Sequence, residues 1–510
     1  MRPANHRPLP AAVFQRCVLG FFVCFFVLIS SGRLGSSDAG GQLQAATLLA
    51  TTGNLGITPS ADTEGWVPAP NGRVYEAHDP GALVIMTPAA WIATKLGHVP
   101  ADQAFRDPPV LAKVLTSLAY AVISAIGALY LFRFFAHYYE TRSAFLLTVL
   151  FALGTYYLPY AKVTWDVAPA TAMMCVFLYF LSATQRANAS VRTFAAAGFA
   201  LALLCSFRYS LAPFMGIALA VLAWRNRSEW RKYGVLGATL CVAMLPTFLY
   251  NFVRTGSPFR PATATAYYLN GNNSLDGHIP SGLMGLFFSG NHSLLLYAPP
   301  VLLIALLPFA WRRLPAAQRT LIVATMAGAL LYTLLIAKMA NWGAFGWGPR
   351  YLLPVLPIWF VAAAPGFMLL RARWPALAAA FVLACLASNV APATVNWNLV
   401  VAEFPQADAP AGATPYALQG IWNGFSKGVQ GQTLAFAKTA PQAAPDASRR
   451  FPDIWTARLI EKSKAGHVAG VAIVLVLLAG LGFALLRIVR GTPANAAVDA
   501  ARDDGFVSAR

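Results

Sequence analysis

Residues 17–56 read CVLGFFVCFFVLISSGRLGSSDAGGQLQAATLLATTGNLG, and the order of events in this stretch decides the fold. Cys17 to about Ser31 is apolar and uncharged, and the basic segment Met1–Arg16 precedes it. That pairing is open to two readings, a signal peptide or an uncleaved membrane span. The flank Ser30-Ser31-Gly32-Arg33 is a poor cleavage site and many apolar runs follow, so an uncleaved span is the expectation. Beyond it stands Asp38, in Ser36-Ser37-Asp38-Ala39-Gly40-Gly41. A helix-forming stretch, Gln42–Thr52, comes next, and Gly53-Asn54-Leu55-Gly56 supplies its stop signal.

Outward from there the apolar runs recur at bilayer length, at about 110–132, 143–160, 166–184, 193–206, 209–224, 234–252, 291–310, 320–338, 351–370, 375–391 and 467–486. The 510 residues are 57% hydrophobic and only 11% charged. A soluble domain carries about 25% charged residues, so this chain lacks the polar side chains to solvate a globular surface. The fold class is therefore an all-α polytopic membrane protein with about 12 transmembrane helices. The six cysteines all fall inside apolar runs, which gives no disulfide framework. The net charge of +19 does not indicate nucleic acid, because most basic residues sit in short loops between apolar runs.

Those loops set an orientation. Arg133 and Arg142, Arg186 and Arg192, Arg225 to Lys232, Arg312 to Arg319, Arg371 and Arg373, and Arg487 and Arg490 fall in alternate loops or the tail. The positive-inside rule then predicts that both termini are cytoplasmic in a multi-pass protein. High alanine content and the lack of a long soluble domain suggest a bacterial inner (plasma) membrane as the expected location. The long loops 32–109, 251–290 and 391–467 all fall on the outer face, as does the short turn 338–350. Long aperiodic loops are commonly functional, so three on one face predict a site there. Within the first, Ala82–Leu96 is short for a span and reads as an interfacial helix. The chain divides into a transmembrane catalytic region at 1–391 that includes the outer loop 32–109, an outer-face loop at 392–466, and a last helix with its tail at 467–510.

Several outer-face residues can carry chemistry, each with a plainer alternative. Asp38 can act as a general base for an incoming hydroxyl, or simply cap its helix. His78 and Asp79, in His78-Asp79-Pro80-Gly81, can meet a metal or a phosphate-bearing substrate. The same residues also spell a turn. Lys162 and Asp166, in Tyr160-Ala161-Lys162-Val163-Thr164-Trp165-Asp166, read as functional groups at membrane depth or as interfacial anchors. Arg208 and Arg350 break the positive-inside pattern. Arg350 follows Trp347 in the Gly/Trp-rich turn Trp342-Gly343-Ala344-Phe345-Gly346-Trp347-Gly348-Pro349-Arg350. The guanidinium fork suits phosphate, and snorkelling is its alternative.

Four segments, in this order, resemble the GT-C superfamily of membrane glycosyltransferases, and more narrowly the bacterial relatives of protein mannosyltransferases and aminoarabinose transferases. They are Ser37-Asp38 through Thr52-Gly53-Asn54-Leu55; Leu153-Gly154-Thr155-Tyr156-Tyr157-Leu158-Pro159-Tyr160; Tyr250-Asn251-Phe252-Val253-Arg254-Thr255-Gly256-Ser257-Pro258-Phe259 paired with Ser293-Leu294-Leu295-Leu296-Tyr297-Ala298-Pro299-Pro300; and Trp347-Gly348-Pro349-Arg350-Tyr351-Leu352-Leu353-Pro354. The resemblance implies a GT-C-like bundle and an inverting transfer of a sugar from a polyprenyl-phosphate donor to a glycan, lipid or protein acceptor outside the cytoplasm. In it Asp38 takes the acceptor hydroxyl proton, and Arg350 or Arg208 stabilises the charge developing on the lipid phosphate. With the residue reading above, Asp38 is the expected catalytic residue, and His78, Asp79, Lys162, Asp166, Arg208, Trp347 and Arg350 are the expected substrate-binding residues. One departure stands out: many relatives carry a second acid directly after the first, where this chain has Ala39. Either Asp38 suffices alone, or Asp79 or Asp166 supplies the second carboxylate, or activity is altered or absent. A divalent metal serves some relatives and not others, and stays open here.

Two other classes compete. A transporter or lipid flippase would place ionisable residues or helix breaks at mid-span, whereas here the charges cluster at the outer ends. A polysaccharide polymerase or ligase of another membrane fold also puts arginines and long loops outside, and is distinguished by the acid after the first span.

Overall fold

The computed structural model describes residues 10–60, 66–263, 274–343, 346–397, 416–431 and 451–491. Much of the third expected outer loop, at 398–415 and 432–450, lies outside the described residues.

The chain is an all-α integral membrane protein. Its first half runs α1 (Ala11–Ile29), α2 (Ser37–Thr52), α3 (Gly81–Gly97), α4 (Ala101–Arg106), α5 (Val110–Phe135), α6 (Thr141–Gly154), α7 (Tyr157–Ala161), α8 (Val167–Ala183), α9 (Val191–Phe207) and α10 (Ala212–Arg225). There follow α11 (Trp230–Thr255), α12 (Ile279–Phe288), α13 (Leu294–Tyr297), α14 (Leu307–Ala310), α15 (Ala316–Ala337), α16 (Leu356–Arg373), α17 (Pro375–Ser388), α18 (Val390–Thr394), α19 (Tyr416–Val429), α20 (Trp455–Lys462) and α21 (Lys464–Arg490). Among the described residues seven helical segments are long and apolar enough to cross a membrane: 11–29, 110–135, 227–255, 316–337, 350–373, 375–394 and 464–490. Other expected spans form shorter apolar helices, among them α6, α8 and α9.

Continuity differs from expectation in two places. The run 143–160 breaks after Gly154, where Thr155 is extended before α7 restarts the helix. The run 291–310 is assembled from α13, a 3-10 segment at Pro299–Leu306 and α14. Pro299, Pro300 and Pro308 account for this, since each lacks the N–H an α-helix interior requires.

Packing follows side-chain size. Phe14, Val18, Phe22 and Phe26 repeat every fourth residue, so they form one stripe, and all four are buried. α1 lies against α5 and α21. In the series α5, α8, α9, α11, small residues admit close approach: Gly127 faces Ala172, and Gly198 faces the Leu236 carbonyl.

The first expected outer loop holds structure that the sequence reading omits. Three two-residue strands, β1 (Gly56–Ile57), β2 (Val67–Pro68) and β3 (Val74–Tyr75), form an antiparallel sheet in the order β1-β3-β2. The β2–β3 turn runs through Asn71-Gly72, with Gly72 at φ +75°, a conformation glycine adopts without Cβ strain. β3 hands the chain directly to Glu76, Ala77 and His78.

Candidate functional site

Asp38 is placed by α2. Ser36 is the N-cap: its hydroxyl accepts from the Ala39 N–H at 3.1 Å, and Gly53 at φ +73° closes the other end. This corrects the capping alternative for Asp38, because Ser36 does that work and Asp38 sits one position inside the first turn. Ala39, Leu43 and Ala46 bury one face of α2 in a core shared with Ala82, Met86 and Ala90 of α3. Asp38 lies off that face, with 42% of its side chain exposed, and its Oδ2 stands 3.6 Å from His78 Nε2.

His78 is gripped on its other side by Glu76. The Glu76 carboxylate meets His78 Nδ1 through Oε1 and accepts the His78 backbone N–H through Oε2 at 2.9 Å. A carboxylate thus faces each ring nitrogen. Burial disfavours the imidazolium, but the Glu76 charge and the bonds to Asp38 and Glu76 overcome it and raise the His78 pKa well above its ordinary value. For Asp38 burial likewise opposes ionisation. The contact with His78 and the charges of Arg350 and Arg208 outweigh it, and hold the carboxyl well below the usual range.

Arg254, on α11 and 1% exposed, fixes this loop from behind. Its Nη1 donates to the Glu76 carbonyl at 2.8 Å, the Ala77 carbonyl at 3.1 Å and the His78 carbonyl at 2.8 Å. Nη2 donates to Asn251 Oδ1 at 2.8 Å, and the guanidinium lies 3.9 Å from the Tyr250 ring centroid. Sequence reading assigned neither Glu76 nor Arg254 to the site. The signals available were the Asn71-Gly72 hairpin ahead of Glu76 and an arginine in the last turn of α11, after its apolar run.

Three loops converge beside this pair. Asp79 Oδ2 accepts the Tyr209 N–H at 3.0 Å, and Arg208 Nη2 donates to Asp166 Oδ1 at 3.1 Å. The turn between α9 and α10 is thereby tied both to the His78 loop and to the start of α8. Burial pushes the Asp79 carboxyl up to about 6, against the Tyr209 N–H and the Arg254 and Arg208 charges. Its Oδ1 is buried without a hydrogen-bond partner among the described residues. His78, Asp79, Asp166 and Arg208 line a cavity of about 360 Å³ together with the apolar Leu275, Leu335, Ile336 and Met339. Arg350 lies 4.5 Å from the Trp165 ring centroid and 5.1 Å from that of Tyr351, and makes no ion pair among the described residues.

Two other expected site residues are placed differently. Trp347 is 2% exposed and packs edge-on against Tyr297, so it supports the turn and does not line the cavity. Gly348, at φ +67°, lets that turn pass: a Cβ there would come within 2.9 Å of the Tyr297 ring. Lys162 belongs to a separate cluster, with Nζ 2.9 Å from Asp453 Oδ2 and 2.9 Å from the Val395 carbonyl. Asp453 also pairs with Arg33 at 3.0 Å and with Arg458. Burial brings the Lys162 ammonium down to about 8, although Asp453 resists it.

Among the described residues no group of three His, Cys, Asp or Glu side chains is arranged to hold a metal ion. No family model matches the chain, and no curated protein matches it at a significant level. Among solved structures, the chain is similar to apo ArnT from Cupriavidus metallidurans, with a TM-score of 0.50 and 16% identity over 94% of this chain and 76% of that one. ArnT from the same organism bound to undecaprenyl phosphate gives a TM-score of 0.49 and 16% identity over 97% of this chain and 79% of that one.

Proposed function

From a GT-C-like membrane fold shared with the aminoarabinose transferase ArnT, we propose that this protein is a lipid-phosphate-dependent glycosyltransferase with Asp38 as its base. It transfers a sugar from a polyprenyl-phosphate-linked donor to an acceptor hydroxyl on the outer face of the bacterial inner membrane, with both termini cytoplasmic. The observation that carries the reading is the placement of Asp38, ionised and partly exposed, against His78, which lines a cavity with both charged and apolar residues around it. A phosphate and the first isoprene units of a lipid present that same division of polarity. The protein named ArnT is also the one seen with undecaprenyl phosphate, which supports a polyprenyl phosphate as the donor's lipid part.

The acceptor oxygen attacks the anomeric carbon as the carbon–oxygen bond to the lipid phosphate breaks, with inversion. The bonding electrons leave with the phosphate, and Asp38 takes the hydroxyl proton. Its depressed pKa keeps it ionised at neutral pH, and the hydroxyl becomes acidic enough to yield its proton only as the new bond forms. Arg350 makes no contact ion pair among the described residues, and Arg208 lines the cavity. Both are suited to the charge that grows on the leaving phosphate.

Purified protein in detergent, given a panel of radiolabelled polyprenyl-phosphate sugars and membrane-lipid acceptors, is expected to release polyprenyl phosphate and label an acceptor with at least one donor. Absence of both release and lipid-phosphate binding across the panel would contradict the reading. Reporter fusions at Arg227 and Arg312 are expected in the cytoplasm; an outside location for both would place the site on the wrong face.

A further inference from the structure

Where relatives of the resembled family carry a second acid, this chain has Ala39, which is buried against α3 and holds no acid chemistry. The first outer loop supplies a carboxylate by another route. Glu76, 5% exposed, is committed to His78 at both a side-chain and a backbone nitrogen. The far ring nitrogen of His78 then faces Asp38. Nothing else about Glu76 explains its burial, since an acid so enclosed costs several kcal/mol unless it is paired. Behind it Arg254 engages three consecutive carbonyls, of residues 76, 77 and 78. This fixes the backbone from which both side chains project. All three contacts come from Nη1 while Nη2 holds Asn251, a two-nitrogen grip that the single nitrogen of a lysine cannot make.

We infer, building on the transferase reading, that Glu76 is the second carboxylate of this site, acting on Asp38 through the His78 ring, with Arg254 as the positioning residue that keeps the two in register. His78 retains both ring protons through the reaction, so the acceptor's proton ends on Asp38 and goes no further along the chain. The imidazolium has two effects. It keeps Asp38 ionised, and it adds a cation to a cavity wall that otherwise carries Asp79 and Asp166 against Arg208. The groups facing His78 are Asp38 from α2, Glu76 and Asp79 from its own loop, Arg208 and Asp166 across the cavity, and Arg254 and Arg350 beyond. Of the partners in direct contact both are acids, and Glu76 is the closer. Removing its charge moves the titration of His78 to lower pH.

The chain has seven histidines, so ¹³C-histidine NMR of the full-length protein in detergent can follow His78, assigned by loss of its signal in His78→Gln. In the wild type the ring is expected to stay charged at pH 8. In Glu76→Gln its midpoint is expected to fall by at least about one pH unit, a tenfold loss of proton affinity. Arg254→Lys is expected to lower the midpoint less. The binding of undecaprenyl phosphate, read by tryptophan quenching between pH 6 and 10, should follow the same order: the alkaline loss of binding comes earlier in Glu76→Gln. The lipid phosphate titrates alike with both proteins, so the difference reads the protein.

A wild-type His78 that is neutral at pH 7, or an unmoved midpoint in Glu76→Gln, overturns the inference, and the first of these does not depend on Glu76→Gln folding. A charged His78 with the predicted shift, in a protein that neither binds the lipid phosphate nor transfers a sugar, would leave the Glu76–His78 linkage standing. It would remove the transferase reading.

Discussion

Arg33 and Asp38 are near neighbours in the chain, yet they belong to ionic clusters of opposite design. Around Asp453, which is 1% exposed, Arg33, Lys162 and Arg458 close on one carboxylate and use both of its oxygens. Around His78 the acids Asp38, Glu76, Asp79 and Asp166 outnumber their immediate cations, and the group borders a cavity. The closed cluster has its acid enclosed by its own cations and serves architecture. It binds the segment before α20 to the end of α1, an attachment that the Trp455 N–H to Ser30 carbonyl bond at 2.9 Å reinforces. The open cluster keeps one carboxylate at the surface and its cations within reach of a newcomer. Similar residue types thus do different work, according to whether their charges are mutually satisfied.

If that contrast is right, substitutions in the two clusters fail in different ways. Asp453→Ala leaves three cations converging without their acid. Breaking a buried pair in this manner typically costs about 3–5 kcal/mol, so a large fall in the detergent melting temperature is expected, with any activity loss following unfolding. A variant of native stability would dissolve the distinction between the clusters.

Arg350→Ala should leave stability nearly unchanged and weaken donor use by about 2–5 kcal/mol, the range for truncating a buried charge that meets its partner. Arg312→Ala, in a basic loop on the opposite expected face, serves as the control. Equal donor dependence in the two would remove Arg350 from the site.

The smallest expected effect is in the pH dependence of stability. The folded-state pKa of Asp79 is raised, to about 6, above its ordinary value of 3.8. Its contribution is therefore fully present below about pH 4 and is lost as pH rises through 6. Asp79→Asn, a neutral mimic, should flatten the melting-temperature curve between pH 4 and 6. An unchanged slope would mean that Asp79 is not held protonated by burial.

The membrane bundle was legible in the sequence because bilayer-length apolar runs and basic short loops are direct physical signatures. The breaks at Thr155 and at Pro299–Pro300 were less legible, since a run interrupted by a turn or a 3-10 segment stays apolar throughout. Asp38, His78, Asp79, Asp166 and Arg208 could be picked out as charges at the outer ends of spans, and the structure brings them to one place. Lys162 looked the same in sequence but is claimed by Asp453, far along the chain, and local pattern carries no trace of such a partner. Trp347 marked an unusual turn, and its indole supports that turn from within the core. Glu76 and Arg254 escaped for another reason: Arg254 binds backbone carbonyls, which every residue carries, so no side-chain motif announces the clasp.

Asp38→Asn tests the central claim most directly. Ser36 caps α2, and asparagine matches aspartate in size, so the variant should fold, insert and bind polyprenyl phosphate as the wild type does. It cannot accept the hydroxyl proton, and transfer should fall by about a hundredfold or more. Near-native turnover in a protein that still melts and binds lipid normally would show that Asp38 is not the base.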